Sequence, residues 1–267
     1  MAEPSAASGR PVSGVGFIGV GQLAEHLVTG ICSADSPPAV VLSPRSESRS
    51  RSLASRFSLP VAESNQAVAD AAGIVIVSVA PGDVVEVVKN IRFRAGQLVI
   101  SVAAGLPLAP VAAAAAPARA VRAMPVTSAM VRQSATACYP RDEAAAVLFQ
   151  LVGTVHPFDT EAEFEIAMVI ATYYGWVYAL LSEASAWLEE QGLDAAETKP
   201  LVAQMTRGAC AMCLEGGRDM TIEAREIGRP GTYTGLGLDL LDRMDALSAW
   251  RETLDAVLAA TRRGRPD

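Results

Sequence analysis

Gly19-Val20-Gly21-Gln22-Leu23-Ala24 is the stretch of this 267-residue chain whose residue types and spacing speak most directly of chemistry. It follows an apolar, β-branched run and opens a segment of helical character. In such a loop the first glycine permits a tight turn, the second lets the backbone approach a pyrophosphate, and the third, small residue lets helix meet strand. Gly19, Gly21 and Ala24 fill those places, so the loop predicts a dinucleotide site with Val20, Gln22 and Leu23 along it. The phosphates are expected on the positive end of the helix that follows. An NAD site usually carries a carboxylate for the ribose 2′-hydroxyl about twenty residues on, at the end of the second strand. Here that position reads Ser43-Pro44-Arg45-Ser46, with no carboxylate. Two hydroxyls and a planar guanidinium suit a 2′-phosphate. Ser43, Arg45 and Ser46 are therefore expected to hold NADP(H).

Composition narrows the remaining chemistry. With 22 basic and 29 acidic residues the net charge is −7, which argues against nucleic acid as a partner. Lys89 and Lys199 are the only lysines, and His26 and His156 the only histidines, so catalytic lysines are scarce and a histidine-built metal site is not expected. Cys210 and Cys213 form a Cys-x-x-Cys with no second pair to complete a zinc site; they are expected to be small core residues one helical turn apart. Four cysteines are too few for a disulfide scaffold, and residues 1–13 read as a loose tail without the apolar run of a signal peptide, so a cytoplasmic protein is expected. Residues 166–181 are uncharged but span only about 24 Å as a helix, short of a hydrocarbon core. A helix buried in a domain or an oligomer, and no membrane, is the expectation.

The elements that must position these residues follow from periodicity. Short continuous apolar runs at 15–18, 40–43, 74–79, 98–103 and 120–124 read as strands buried on both faces. Helical stretches at 22–31, 45–57, 84–91 and 108–116 alternate with them, which predicts a doubly wound parallel sheet, a Rossmann domain. Beyond about Thr160 no strand signal appears, and 161–191, 195–215 and 236–262 read as three long helices. The expected organisation is thus a tail over 1–13, a nucleotide-binding α/β domain over 14–158 and an all-helical domain over 159–267.

With these pieces in order, the chain resembles the pyrroline-5-carboxylate reductase family from Val15 to Arg262. The resemblance is carried by residues 16–24, by Ser64-Asn65, by Ile100-Ser101-Val102-Ala103-Ala104-Gly105 and by Val121-Arg122-Ala123-Met124-Pro125. It implies further cofactor contacts from Asn65, Val79, Ala80, Pro81, Ala103, Ala104, Met124 and Pro125. It also implies a homodimer built by intertwined C-terminal helices, and hydride delivery to a cyclic imine held between the nicotinamide and loops of the helical domain.

Three segments depart from the family pattern in one direction. Met-Pro-Asn becomes Met124-Pro125-Val126, Ser-Gly-Ser-Gly-Pro-Ala-Tyr becomes Thr172-Tyr173-Tyr174-Gly175-Trp176-Val177-Tyr178, and Pro-Gly-Gly-Thr-Thr becomes Pro230-Gly231-Thr232-Tyr233-Thr234. Small residues whose amides and hydroxyls bind the substrate carboxylate give way to large aromatics, and each charge-assisted bond lost costs roughly 1.5–3 kcal/mol. The chain has only five tyrosines, and four of them fall in the second and third of these segments. Tyr173, Tyr174, Tyr178 and Tyr233 are candidate proton donors or cation–π walls for an iminium, and Thr172 and Thr234 retain hydroxyls that orient a polar substrate group. Thr234, Tyr174, Thr172 and Tyr233 are the expected catalytic set, for an NADPH-dependent reductase of an imine other than pyrroline-5-carboxylate. The alternatives are a C=O reductase and a non-catalytic NADP-binding dimer.

Overall fold

The structure is a computed structural model that describes residues 14–217 and 219–263; the expected tail lies outside the described residues. The nucleotide-binding half opens with β1 (Val15–Ile18), α1 (Gln22–Cys32), β2 (Val40–Leu42), α2 (Glu47–Phe57), α3 (Asn65–Ala71) and β3 (Ile74–Val77). It continues through α4 (Val84–Lys89), β4 (Leu98–Ser101), α5 (Leu108–Ala115), β5 (Arg119–Met124), β6 (Ser134–Tyr139), α6 (Glu143–Gln150) and β7 (Gly153–Pro157). One seven-stranded sheet results, in the order β2-β1-β3-β4-β5-β6-β7. The first five strands are parallel, β6 runs antiparallel to β5, and β7 runs parallel to β6.

Successive strand residues feed opposite faces of this sheet, as the pleat requires. Phe17, Ile74, Ile76 and Ile100 pack with Leu27 of α1 and Phe149 of α6 on one side. Ile18, Val75, Val77 and Val99 pack with Val68 of α3 and Val111 of α5 on the other. Burial on both faces is why β1 to β4 read as apolar runs, while β5 carries one buried arginine, Arg122, among its apolar residues. Two strands beyond the expected five complete the sheet. β6 is Ser134-Ala-Thr-Ala-Cys-Tyr139, and β7 ends the sheet with exposed Thr154 and His156, so neither carries such a run.

Gly30, near the end of α1, lies against the turn at residues 127–131. A β-carbon there would stand 2.0 Å from the Ala129 carbonyl oxygen and 3.0 Å from Val152. Backbone cannot give way as a side-chain tip can. Gly30→Ala is therefore expected to destabilise the protein by about 1–3 kcal/mol, read as a lowered urea midpoint with unchanged m, despite alanine's better helix propensity.

The second half is helical: α7 (Glu161–Glu190), α8 (Ala195–Glu215), α9 (Met220–Ile227), α10 (Tyr233–Arg243) and α11 (Ala246–Arg263). The expected single helix over 236–262 is two helices. Asp245 breaks it in the left-handed region at φ +52°, a conformation that Asp tolerates by bonding locally, and the Ser248 hydroxyl donates to its carboxylate. α9 was not signalled by periodicity; Asp219 starts it by accepting from the Thr221 and Ile222 amides.

Contacts divide the chain into one compact unit that reaches Ala171 and takes back the chain from Ala260, and a second, Thr172–Ala259. The division falls inside α7, later than the 158/159 boundary expected from the sequence, because Phe164, Met168 and Val169 in its first turns are buried in the first unit. Among the described residues of the second unit only Thr198 and Gly235 are buried. α7 is long and apolar enough by composition to cross a membrane, yet in the single chain only 17% of its most apolar window is buried. Ile166, Ile170 and Leu180, expected to be buried, are each more than half exposed within the chain. Cys210 and Cys213 are likewise exposed on α8, not core residues as the sequence suggested, because that helix buries nothing but Thr198.

Candidate functional site

β1 and β3 are neighbours while β2 lies on the far side of β1, so the strand order reverses between β1 and β3. In open α/β sheets ligands bind outside the carboxyl ends of the strands at this reversal. The glycine loop stands there. Gly19 has φ +84°, and a β-carbon on it would lie 2.7 Å from the Ser78 carbonyl oxygen, so only glycine fits. Gly21 is the residue before α1, with no side chain capping the helix, and a β-carbon on it would meet nothing within 4 Å. Uncapped amides facing open space form an anion cradle suited to a pyrophosphate. Val20 contributes only backbone, since its side chain is fully buried, while Gln22 is exposed and Leu23 half-buried.

Ser43 has a different role from the expected one. Its side chain is solvent-inaccessible, its Oγ accepts from the Gly19 amide at 3.0 Å, and its carbonyl accepts from the Ser50 hydroxyl at 2.9 Å. It braces the glycine loop from beneath and has no free face for a 2′-phosphate. Arg45 is exposed and makes no ion pair or ring contact among the described residues, although Arg49 pairs with Glu25, Arg51 with Glu47, and Arg56 lies over Phe57. Ser46 precedes α2 without capping it, which leaves its hydroxyl uncommitted.

The other expected cofactor residues lie on the same carboxyl side. Asn65 begins α3, whose cap is Ser64. Val79, Ala80 and Pro81 follow β3, and Ala103 and Ala104 follow β4. Met124 ends β5 before the buried Pro125, and the Val126 amide donates to the buried Ser134 hydroxyl at 3.1 Å, which in turn meets Thr136. Arg122, one of the family-like residues of β5 for which the sequence suggests no role, has a side chain only 2% exposed. An arginine inside an apolar strand was the available signal, since such a residue is rarely buried without a carboxylate partner.

The second unit holds the expected catalytic residues. On α7 the Tyr174 and Tyr178 hydroxyls are 2.9 Å apart, with their rings edge-on at 5.2 Å. The bond to Tyr174, helped by partial burial, raises the Tyr178 phenol above its ordinary pKa, so Tyr178 stays protonated at neutral pH. Tyr173 points elsewhere, packing edge-on against Trp176 at 6.2 Å and Trp250 at 5.7 Å. Trp176, Ala249, Trp250 and Thr253 line an open recess. Thr172 is exposed on α7. Tyr233 begins α10 and is 94% exposed, without hydrogen bond or ring contact among the described residues; Thr234, next to it, is exposed as well. Thr232 caps that helix by accepting from the Gly235 amide at 2.9 Å. The structure thus unites Tyr174 with Tyr178, assigns Tyr173 to an aromatic cluster, and carries Tyr233 and Thr234 on a separate helix.

Comparison with known proteins agrees with this architecture. Residues 14–105 match the family model described as NADP oxidoreductase, coenzyme F420-dependent. The solved pyrroline carboxylate reductase of Plasmodium falciparum with NADP bound superposes with a TM-score of 0.84 at 21% identity, over 97% of this chain and 100% of that one. An imine reductase from Pseudomonas sp. superposes at 0.59 with 13% identity, over 94% of this chain and 93% of the other. Bacillus subtilis pyrroline-5-carboxylate reductase 2 is 28% identical over 85% of this chain and 86% of its own. Pyrroline-5-carboxylate reductase of Pseudomonas aeruginosa is 31% identical over 214 residues, 75% of this chain and 78% of that protein. On that identity, spread over most of both chains and joined to the glycine loop at the strand reversal, the chain belongs to the pyrroline-5-carboxylate reductase family.

Proposed function

We propose that this protein is an NADPH-dependent reductase of a C=N bond, acting on an imine bulkier or less acidic than pyrroline-5-carboxylate. The observation that carries the reading is the open, uncapped cradle at Gly21 together with an Arg45 that is exposed and, among the described residues, unpaired, with no carboxylate at the end of β2. NADPH supplies a hydride when bound. Gly19 and Gly21 with the first amides of α1 hold its pyrophosphate, and Arg45 and Ser46 its 2′-phosphate. Asn65, the 79–81 loop, Ala103, Ala104, Met124 and Pro125 are the further contacts assigned to it.

The substrate contacts assigned from the sequence are those of α7 and α10. Tyr174, hydrogen-bonded to Tyr178, holds the proton for the imine nitrogen, while Thr172, Tyr233 and Thr234 orient the substrate. Valine at 126 removes an amide donor, and tyrosine at 233 sets a bulky ring where the family pattern has a threonine, which disfavours pyrroline-5-carboxylate itself. Relatives in fold include an imine reductase and a reductive aminase solved with cyclohexanone and allyl amine, in keeping with a broader imine substrate. The exposed apolar side chains of α7 to α10, among them Ile170, Met205, Met212, Ile222 and Leu241, support a homodimer that covers them. Free thiols at all four cysteines suit the reducing cytoplasm.

NADPH oxidation against a panel of cyclic imines, pyrroline-5-carboxylate and ketones tests this reading. Turnover of imines with pyrroline-5-carboxylate among the poorest is expected. Best activity on a ketone makes the protein a C=O reductase, and tight NADPH binding without any turnover makes it a binding protein. Tyr174→Phe should lower kcat about 100-fold, within the range for loss of a general acid, while Tyr178→Phe costs far less. Wild-type kcat in Tyr174→Phe removes that tyrosine from the chemistry.

A further inference from the structure

We infer that Glu161 is a positioning residue for the cofactor, acting through the loop between β4 and α5. This rests on the proposed NADPH site, in which Ala103 and Ala104 of that loop are contacts. α5 begins after Pro107, which offers no side-chain cap, so its first amides have no local acceptor. The acceptor comes from far along the chain. Glu161 Oε1, at the start of α7, accepts from the Leu108 amide at 2.7 Å, placing a negative charge at the positive end of α5.

The same oxygen accepts from Arg122 Nη1 at 2.6 Å. Arg122 projects from β5, stacks its guanidinium 4.6 Å above the Phe164 ring, and has a second carboxylate, Glu165, at 3.7 Å. Its Nε is buried without a partner. A planar cation held by a strand, an aromatic face and the first turns of α7 leaves Glu161 little rotational freedom. One carboxylate oxygen therefore registers three elements: the strand that ends in Met124, the first turn of α7, and the helix whose N-terminus closes the 103–107 loop. That loop includes Gly105 at φ +71°, a residue type whose backbone freedom needs restraint from outside. A bond that served only to anchor α7 to the sheet had no need to cap α5.

Direct NADPH titration by fluorescence, together with steady-state kinetics and urea melts, tests the assignment in the full-length protein. Glu161→Ala removes the cap and is expected to raise the NADPH Kd at least fivefold, with kcat at saturating NADPH within twofold of wild type. Glu161→Gln keeps an oxygen for Leu108 and Arg122 and is expected to restore most of the affinity, and it remains informative if the alanine variant does not fold. Asp142→Ala serves as the reference for destabilisation alone. Asp142 caps α6 by accepting from Ala145 at 3.0 Å and pairs with Arg119, with no contact to the 103–107 loop. Wild-type NADPH affinity in folded Glu161→Ala, or an affinity loss that Asp142→Ala matches at equal stability, overturns the inference. With an unfolded alanine variant, Glu161→Gln at wild-type stability with an NADPH Kd raised fivefold or more also overturns it. If the wild-type protein binds no NADPH, it is the cofactor reading that fails.

Discussion

Gly21→Val is expected to abolish useful NADPH binding, raising Kd by about 100-fold or more, while the urea midpoint stays at the wild-type value. A β-carbon there has no heavy atom within 4 Å beyond its own chain neighbours, so a branched side chain finds room and the fold tolerates it. The space it fills is the approach to the uncapped amides of α1. Losing two charge-assisted bonds to a pyrophosphate at roughly 1.5–3 kcal/mol each gives the stated loss. Gly19→Ala provides the contrast. With φ +84° and Ser78 backbone at 2.7 Å, it is expected to lose stability and cofactor binding together. Unchanged NADPH affinity in folded Gly21→Val would place the cofactor elsewhere.

Arg45→Ala is expected to raise the Michaelis constant for NADPH about 10- to 150-fold and to leave that for NADH unchanged. The range is one charge-assisted hydrogen-bonding group at about 1.5–3 kcal/mol. Because Arg45 is exposed and pairs with nothing among the described residues, its loss carries no structural penalty that would affect both cofactors alike. Ser43→Ala separates the two roles at the end of β2. Ser43 braces the Gly19 amide from a buried position, so its loss should weaken NADPH and NADH equally. An NADPH to NADH preference that survives Arg45→Ala refutes the assignment of that residue to the 2′-phosphate.

The difference between Ser43 and Arg45 shows where sequence reading stops. Both stand at the right distance from the glycine loop, and both carry chemistry suited to phosphate. Only packing shows that one hydroxyl is sealed under the loop and spent on Gly19. The tyrosines repeat the lesson. Spacing four apart on a helix brings Tyr174 and Tyr178 together, a relation local enough to be legible in principle. Tyr173 meets Trp250 from a helix more than seventy residues away, and no periodicity encodes that contact. Arg122 and Glu161 are the extreme case, since the carboxylate that satisfies a buried arginine also caps a helix begun elsewhere.

By itself, the sequence determined the parallel sheet, the glycine loop between its first strand and first helix, the helical second half and the family. These follow from short-range patterns: β-branched runs buried on both faces, helical period, and glycines at the spacing of a dinucleotide loop. Tertiary structure alone decided β6, which becomes a strand beside β5, and β7, which becomes one beside β6; the break at Asp245; the burial of Ser43; and the exposure of Cys210 and Cys213. Each of these depends on which neighbour covers a residue, and that is a property of the packed chain, not of its local pattern.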